Sequence, residues 1–248
     1  MKPETGNEKG RMPRQLRFSG VTLFCSMSFD RLAPHYRWTE ALFAGSRLQR
    51  CRVALLDAIP APEQVLIYGE GNGRFLVELL RRFPMARVTV VEASAVMIDL
   101  ARSRLQREGL ASAAVTFVQA DALDWEPPAS CFDLIVTCFF LDCFREDQLE
   151  LLIPRIAEAA LPDARWLLSD FQIAKSGLRR VRSRIVVKTL YRIFRLMTQL
   201  PGREIVDPTP LLQAAGFTCE RREEQDHDLL YSAVWRHAGT ESQTRRRT

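Results

Sequence analysis

Short runs rich in Val, Ile and Leu take turns along the chain with longer segments whose apolar positions recur three and four residues apart. The short runs Val65–Tyr68, Arg87–Val91, Val115–Gln119, Phe132–Thr137 and Arg165–Ser169 predict strands, and their near-continuous apolar character predicts cover on both faces. Between them, Arg74–Phe83 places Phe75, Leu76, Leu79 and Leu80 on one helical face. Ser94 stands where an N-cap belongs, ahead of a stripe of Met97, Ile98, Ala101 and Leu105. Glu146–Leu161 predicts a further helix. Near the C-terminus Asp207 precedes a short helix, Pro208–Ala215, stopped at Gly216, and Phe217–Gln225 with Leu229–Arg236 predicts a hairpin. Strands alternating with helices predict an α/β fold, a mostly parallel sheet with an antiparallel last strand and helices on both faces.

Two segments do not follow this rhythm. Phe29–Cys51 alternates aromatic and charged residues, and with Arg52–Ile59 it predicts helices that fold over the first strand's glycine end, stopped by Pro60 and Pro62. Lys175–Arg203 carries nine Lys or Arg and no acid. Wound as a helix, it sets Arg180, Arg184, Lys188, Arg192 and Arg195 on one side and Val181, Ile185, Ile193, Met197 and Leu200 on a broad apolar side. Two readings stand: a lid whose apolar face covers an acceptor pocket, or a surface that touches anionic lipid.

Composition narrows the rest. The 248 residues, 47% hydrophobic and 26% charged, suit one soluble domain at 20–238, with a helical cap at 20–63, a basic amphipathic lid insertion at 174–203, and disordered tails at 1–19 and 239–248. No run reaches the roughly eighteen apolar residues of a spanning helix, and the N-terminus is not built like a signal peptide. The expected location is the cytoplasm, with peripheral membrane contact through 175–203 left open. Six cysteines lack C-x-x-C spacing and only three histidines accompany them, so no metal site is expected.

The candidate chemistry collects at strand ends. Gly69, Gly71 and Gly73 alternate just after the first strand and open a helix, the build of a bend that lets a ligand approach the backbone. Glu92 follows the second strand about twenty residues on, where a doubly wound sheet brings a carboxylate to a ribose. Asp121-Ala122 follows the third strand and Thr137-Cys138 closes the fourth. In such sheets ligands bind outside the carboxyl ends of the strands, so these residues share one rim.

On the motif Gly69-Glu70-Gly71-Asn72-Gly73, Glu92, Asp121-Ala122, Thr137-Cys138 and the two-strand ending, the chain resembles the class I S-adenosylmethionine-dependent methyltransferases over roughly residues 29–237. FDRLAPHY before the first strand resembles the ubiquinone/menaquinone-biosynthesis type of small-molecule enzyme. The resemblance implies a Rossmann-like seven-stranded methyltransferase sheet and S-adenosylmethionine as cofactor. It places the bend Gly69, Glu70, Gly71 and Gly73 at the methionine part, Glu92 at the ribose and Asp121 at the adenine amino group, with Met97 on the adenine face, and counts Ala93, Ala122, Thr137 and Cys138 among the cofactor-binding residues. The family's acid two residues before the first glycine is absent, because Ile67 stands there. Glu70 is the residue positioned to replace it. The motif for methylating DNA bases is missing after the fourth strand, so no nucleic-acid partner is expected and the acceptor is a small, apolar or amphipathic molecule. The alternative is a non-catalytic cofactor-binding module acting at a membrane or on a partner through the basic helix.

Methyl transfer asks the protein to position an acceptor and, where needed, to remove a proton. Asp142, five residues past the fourth strand, is the first candidate base, against a reading as a cap for the helix at Glu146. Asp170, at the end of the fifth strand, is the second. His35 and Tyr36 lie in the segment expected to close over the cofactor, with packing or surface roles as their alternatives.

Overall fold

The computed structural model describes residues 45–198 and 205–238. The elements are α1 (Gly45–Val53), β1 (Gln64–Tyr68), α2 (Arg74–Arg82), β2 (Arg87–Glu92), α3 (Ala95–Arg107), β3 (Val115–Gln119), β4 (Phe132–Cys138), α4 (Glu146–Glu158), β5 (Ala160–Phe171), α5 (Gly177–Thr198), α6 (Thr209–Ala214), β6 (Phe217–Gln225) and β7 (Leu230–His237). The seven strands form one sheet in the order β3-β2-β1-β4-β5-β7-β6. β1 to β5 run parallel, and β7 pairs antiparallel with both β5 and β6. The expected α/β sheet with an antiparallel ending is therefore present.

Period-two burial explains why the central strands read as continuous apolar runs. Leu66 and Tyr68 of β1, Ile135 of β4, Trp166 and Leu168 of β5, and Trp235 of β7 share one core with Leu149, Leu152, Ile153 and Ile156 of α4. Val65, Ile67, Leu134, Val136, Leu167 and Val234 point the other way, onto Phe75, Leu76, Leu79 and Leu80 of α2. Each strand feeds both layers, so neither face could be polar.

Three boundaries differ from the sequence expectation. α4 stops at Glu158, and β5 begins at Ala160 rather than Arg165, because an irregularity at Leu161–Ala164 with Asp163 at φ 64° joins a first pairing, Phe132 with Ala160, to the main ladder. α1 ends at Val53, and a single 3-10 turn, Leu56–Ala58, replaces the expected helical continuation to Ile59. α4 is capped through Arg145, whose N–H donates to the Gln148 side chain at 3.1 Å, so Asp142 is not its cap.

A third, smaller cluster secures the helices outside the sheet. Cys51 of α1, Val187 of α5, Leu229 and Leu230 pack together, with Phe139 and Phe171 against them. The β6–β7 turn reinforces it: Asp226 pairs with Arg47 of α1 at 3.2 Å and with Arg182 of α5 at 3.1 Å, and Asp228 pairs with Arg179 at 3.1 Å. α1 and α5 are thereby held beside the C-terminal ends of β4 and β5.

Candidate functional site

The sheet order reverses between β1 and β4, and the crevice at that switch point is where a doubly wound sheet binds ligands. Its first wall is the glycine bend. Gly69, Gly71 and Gly73 have φ values of 65°, 67° and 82°, the left-handed region that side chains disfavour. Two of them are also required sterically. A Cβ on Gly69 would lie 2.5 Å from Cδ2 of Phe140, and one on Gly73 would lie 2.9 Å from Cα of Ala101, so the bend packs directly on the β4 loop and on α3. Arg104 of α3 fastens it further, donating to the Asn72 carbonyl at 2.8 Å.

Glu92 closes the bend from β2. Its Oε2 accepts from the Gly71 N–H at 3.0 Å and its Oε1 from the Ser94 N–H at 3.0 Å, which fixes the carboxylate at the strand's end. Ser94 caps α3 as expected, its Oγ accepting from the Met97 N–H at 3.2 Å, and Met97 is buried behind it. Ala93 lies half-buried between them. After β3, Asp121 is half-buried and its Oδ1 accepts from the Leu123 N–H at 3.0 Å, with Ala122 buried beside it. The bend, Glu92 and Asp121 occupy consecutive strand ends on one rim.

Glu70 sits differently from a freely presented acid. Its Oε1 accepts from the Leu76 N–H at 2.9 Å, so the carboxylate caps the first turn of α2. Burial pushes its pKa up to about 7, against the lowering effect of the α2 amides and of Arg52. Arg52 is the residue that sequence reasoning missed. It is only 8% exposed, and its guanidinium lies 5.2 Å from the Phe139 ring centroid. Within the charge-rich segment RLQRCR nothing distinguishes it from Arg47 and Arg50. Its burial follows from the docking of α1 on the rim.

Two expected rim residues point into the protein. Thr137 is fully buried, its Oγ1 accepting from the Trp166 indole N–H at 2.8 Å, because alternation along β4 turns it to the same layer as Ile135. Cys138 faces the opposite core, where burial raises its thiol well above the usual range. The loop after them forms the second wall. Phe139 adopts φ 53° and donates its N–H to the Ser169 carbonyl at 2.7 Å. Phe139 packs on Phe171 at 5.1 Å between centroids, and Phe140 stacks on Tyr68 at 5.6 Å and meets Phe144 edge-on at 5.0 Å.

The structure brings the two candidate bases together. The Asp142 N–H donates to Oδ2 of Asp170 at 3.2 Å, while Oδ1 of Asp170 accepts from the Phe171 N–H at 2.8 Å. The Cys143 thiol donates to Oδ1 of Asp142 at 3.7 Å. Burial raises Asp142 to about 6, and burial with the neighbouring Asp142 charge raises Asp170 well above the carboxylate range. A raised carboxyl pair beside half-buried aromatic rings suits proton removal from a bound acceptor. His35 and Tyr36 lie outside the described residues. Among the described residues, no group of three His, Cys, Asp or Glu is placed to hold a metal ion.

Comparison with known proteins bears on the same residues. Residues 65–163 match a family model described as "Methyltransferase domain". A trans-aconitate 2-methyltransferase from Paracidovorax citrulli (strain AAC00-1) is 37% identical over 130 residues, 50% of this chain and 46% of that protein. A demethylmenaquinone methyltransferase from Thermus thermophilus is 28% identical over 151 residues, 60% of this chain and 66% of that protein. The chain thus spans less than half the length of the first curated relatives it matches. Among solved structures, a 1,6-didemethyltoxoflavin-N1-methyltransferase from Burkholderia thailandensis, with bound 1,6-didemethyltoxoflavin and S-adenosylhomocysteine, superposes with a TM-score of 0.61 at 19% identity, covering 86% of this chain and 88% of that one.

Proposed function

We propose that the chain is a class I S-adenosylmethionine-dependent methyltransferase, a reading supported by the match of residues 65–163 to a methyltransferase domain, and that it transfers a methyl group to a small, apolar or amphipathic acceptor seated between the β4 loop and the end of β5. The observation that carries this reading is the convergence on one rim of the glycine bend, Glu92 and Asp121 with the Asp142–Asp170 pair. The residues present fit the cofactor: a bend with no side chains, a carboxylate fixed at the end of β2, and a half-buried acid after β3.

In this reading Glu92 takes the ribose hydroxyls, Asp121 accepts from the adenine amino group, and Met97 backs the base. Glu70 and Arg52, opposite in charge and near enough for Arg52 to lower the Glu70 pKa, take the amino and carboxylate groups of the methionine part. The cofactor supplies a methyl group on a sulfonium whose sulfur leaves as a neutral thioether, so the protein has little bond-breaking to assist. Its task is to orient the acceptor and exclude water. The half-buried rings of Phe139, Phe140, Phe144 and Phe171 supply the apolar wall, which is what favours an apolar or amphipathic acceptor. Asp142 takes the acceptor's proton as the new bond forms, and Asp170 orients Asp142 through its backbone N–H.

Calorimetry with S-adenosylhomocysteine and turnover with radiolabelled cofactor over a panel of amphipathic acceptors test this. Glu92→Ala removes a charged partner and should weaken cofactor binding by about tenfold or more. Asp142→Asn should leave binding unchanged and lower turnover by ~10²–10⁴-fold. Absence of cofactor binding in the wild type at high micromolar concentration would overturn the reading. Binding without turnover on any acceptor would instead favour a binding module.

A further inference from the structure

The basic helix α5 turns Val181 and Ile185, two residues of its expected apolar side, away from the protein. It docks through Ser183 and Val187, which are buried, with Arg179 and Arg182 tied to Asp228 and Asp226. Leu178, Val181 and Ile185 lie on the opposite side and are 88%, 55% and 60% exposed. The same i, i+3, i+7 stripe continues through Lys188 and Arg192, both exposed, and Arg180 and Arg184 flank it, also exposed. The outward half of the helix therefore carries three large apolar side chains along one line, with four cations around and beyond them.

We propose that this outer face of α5 is a peripheral docking surface for anionic membrane, with Leu178, Val181 and Ile185 entering the acyl boundary and Arg180, Arg184, Lys188 and Arg192 meeting lipid phosphates. Charge selects this occupant. α5 contains seven basic residues and no acid; Arg179 and Arg182 pair inward, and Arg180, Arg184, Lys188 and Arg192 are exposed to whatever covers the stripe. A second copy of the same face would set these cations against one another. An anionic lipid surface satisfies them and takes up the apolar stripe in the same contact. Among the described residues, no helix is long and apolar enough to cross a membrane, so the contact is interfacial. The inference rests on α5 alone and holds whether or not the rim transfers methyl groups.

Flotation of the full chain with vesicles tests it, comparing phosphatidylcholine alone with phosphatidylcholine containing phosphatidylserine, at low and high salt. The wild type should float with anionic vesicles only and be released by salt. Arg184→Gln/Lys188→Gln/Arg192→Gln should lose about fivefold in partitioning per charge, on the order of a hundredfold together. Val181→Ser/Ile185→Ser should lose about tenfold while keeping all charges. These positions are exposed, so an unchanged melting temperature confirms that the variants fold. No flotation of the wild type at low salt would overturn the proposal. So would flotation that survives both variants. A wild-type dimer converted to monomer by Val181→Ser/Ile185→Ser would assign the face to a second copy and likewise overturn it.

Discussion

The close approach of α3 to the glycine bend makes Gly73 a position where two costs can be separated by experiment. Gly73→Ala puts a side chain at φ 82° and a Cβ 2.9 Å from Cα of Ala101, 3.1 Å from its Cβ and 3.3 Å from its carbonyl oxygen. Gly109→Ala, at the C-terminal end of α3, imposes a similar φ of 73° with nothing within 4 Å of the new Cβ. Both pay about 1–2 kcal/mol for a left-handed alanine, and both regain about 0.4–1 kcal/mol because the unfolded chain is stiffened. Gly109→Ala should therefore cost about 1 kcal/mol or less. Gly73→Ala adds an overlap with backbone, which cannot rotate away, for a further ~1–3 kcal/mol. Urea unfolding of the two variants, with unchanged m-values, should show Gly73→Ala less stable than Gly109→Ala by that difference. Gly73→Ala should also weaken S-adenosylhomocysteine binding, because relief of the overlap moves the bend. Equal destabilisation of the two would refute the claim that α3 packs directly on Gly73.

The other predictions concern buried polar groups. Asp142 has a folded pKa of about 6, above the ordinary aspartate value near 3.8. Its burial thus costs nothing below pH ~4, and the cost grows as pH rises and is complete above pH ~6. The shift corresponds to about 3 kcal/mol at most, and a half-buried side chain should show roughly half of that. Asp142→Asn should therefore gain stability over the wild type between pH 4 and pH 7 in parallel thermal melts, and a constant difference would contradict the assignment. Among the described residues, the Tyr68 hydroxyl is buried without a hydrogen-bond partner. Tyr68→Phe should be neutral or raise the melting temperature by the equivalent of about 1 kcal/mol, and a clear loss would reveal a partner. In the proposed reading Glu70, with a pKa of about 7, holds the cofactor's cationic amino group only when ionised. Affinity for S-adenosylhomocysteine should fall by about fivefold from pH 7 to pH 6 in calorimetry, and the dependence should vanish in Glu70→Gln.

What was legible in the sequence was local. The strand and helix order follows from periodicity, the Ser94 cap from residue type, and the glycine bend from three glycines whose backbone angles admit little else. Each signal lies within a few residues of the feature it predicts. The pairing of Asp142 with Asp170 was not legible, because it joins residues 28 apart. It depends on β4 lying beside β5 with Cys138 opposite Ser169, and on a left-handed Phe139 that folds the following loop back over β5. The outward turn of Val181 and Ile185 was hidden for the same reason. The helical pattern gives two faces, and only the contacts of Ser183 and Val187 decide which one meets the protein.

Ile67 and Glu70 show how a departure from a familiar motif can be read physically. Ile67 is 1% exposed and packs in the core layer that includes Val136 and Leu167, so a carboxylate there would need a charged partner to offset its desolvation. The chain keeps that layer apolar and carries its acid three residues later, in the bend, where the free N–H groups of α2 stabilise the charge. The relocation has a consequence for binding. A carboxylate already engaged by α2 has less free capacity for an incoming ammonium group, and its raised pKa leaves it only partly ionised near neutrality. In the proposed reading, recognition at this end therefore leans more on Arg52 drawing the ligand's carboxylate than on Glu70 drawing its amine.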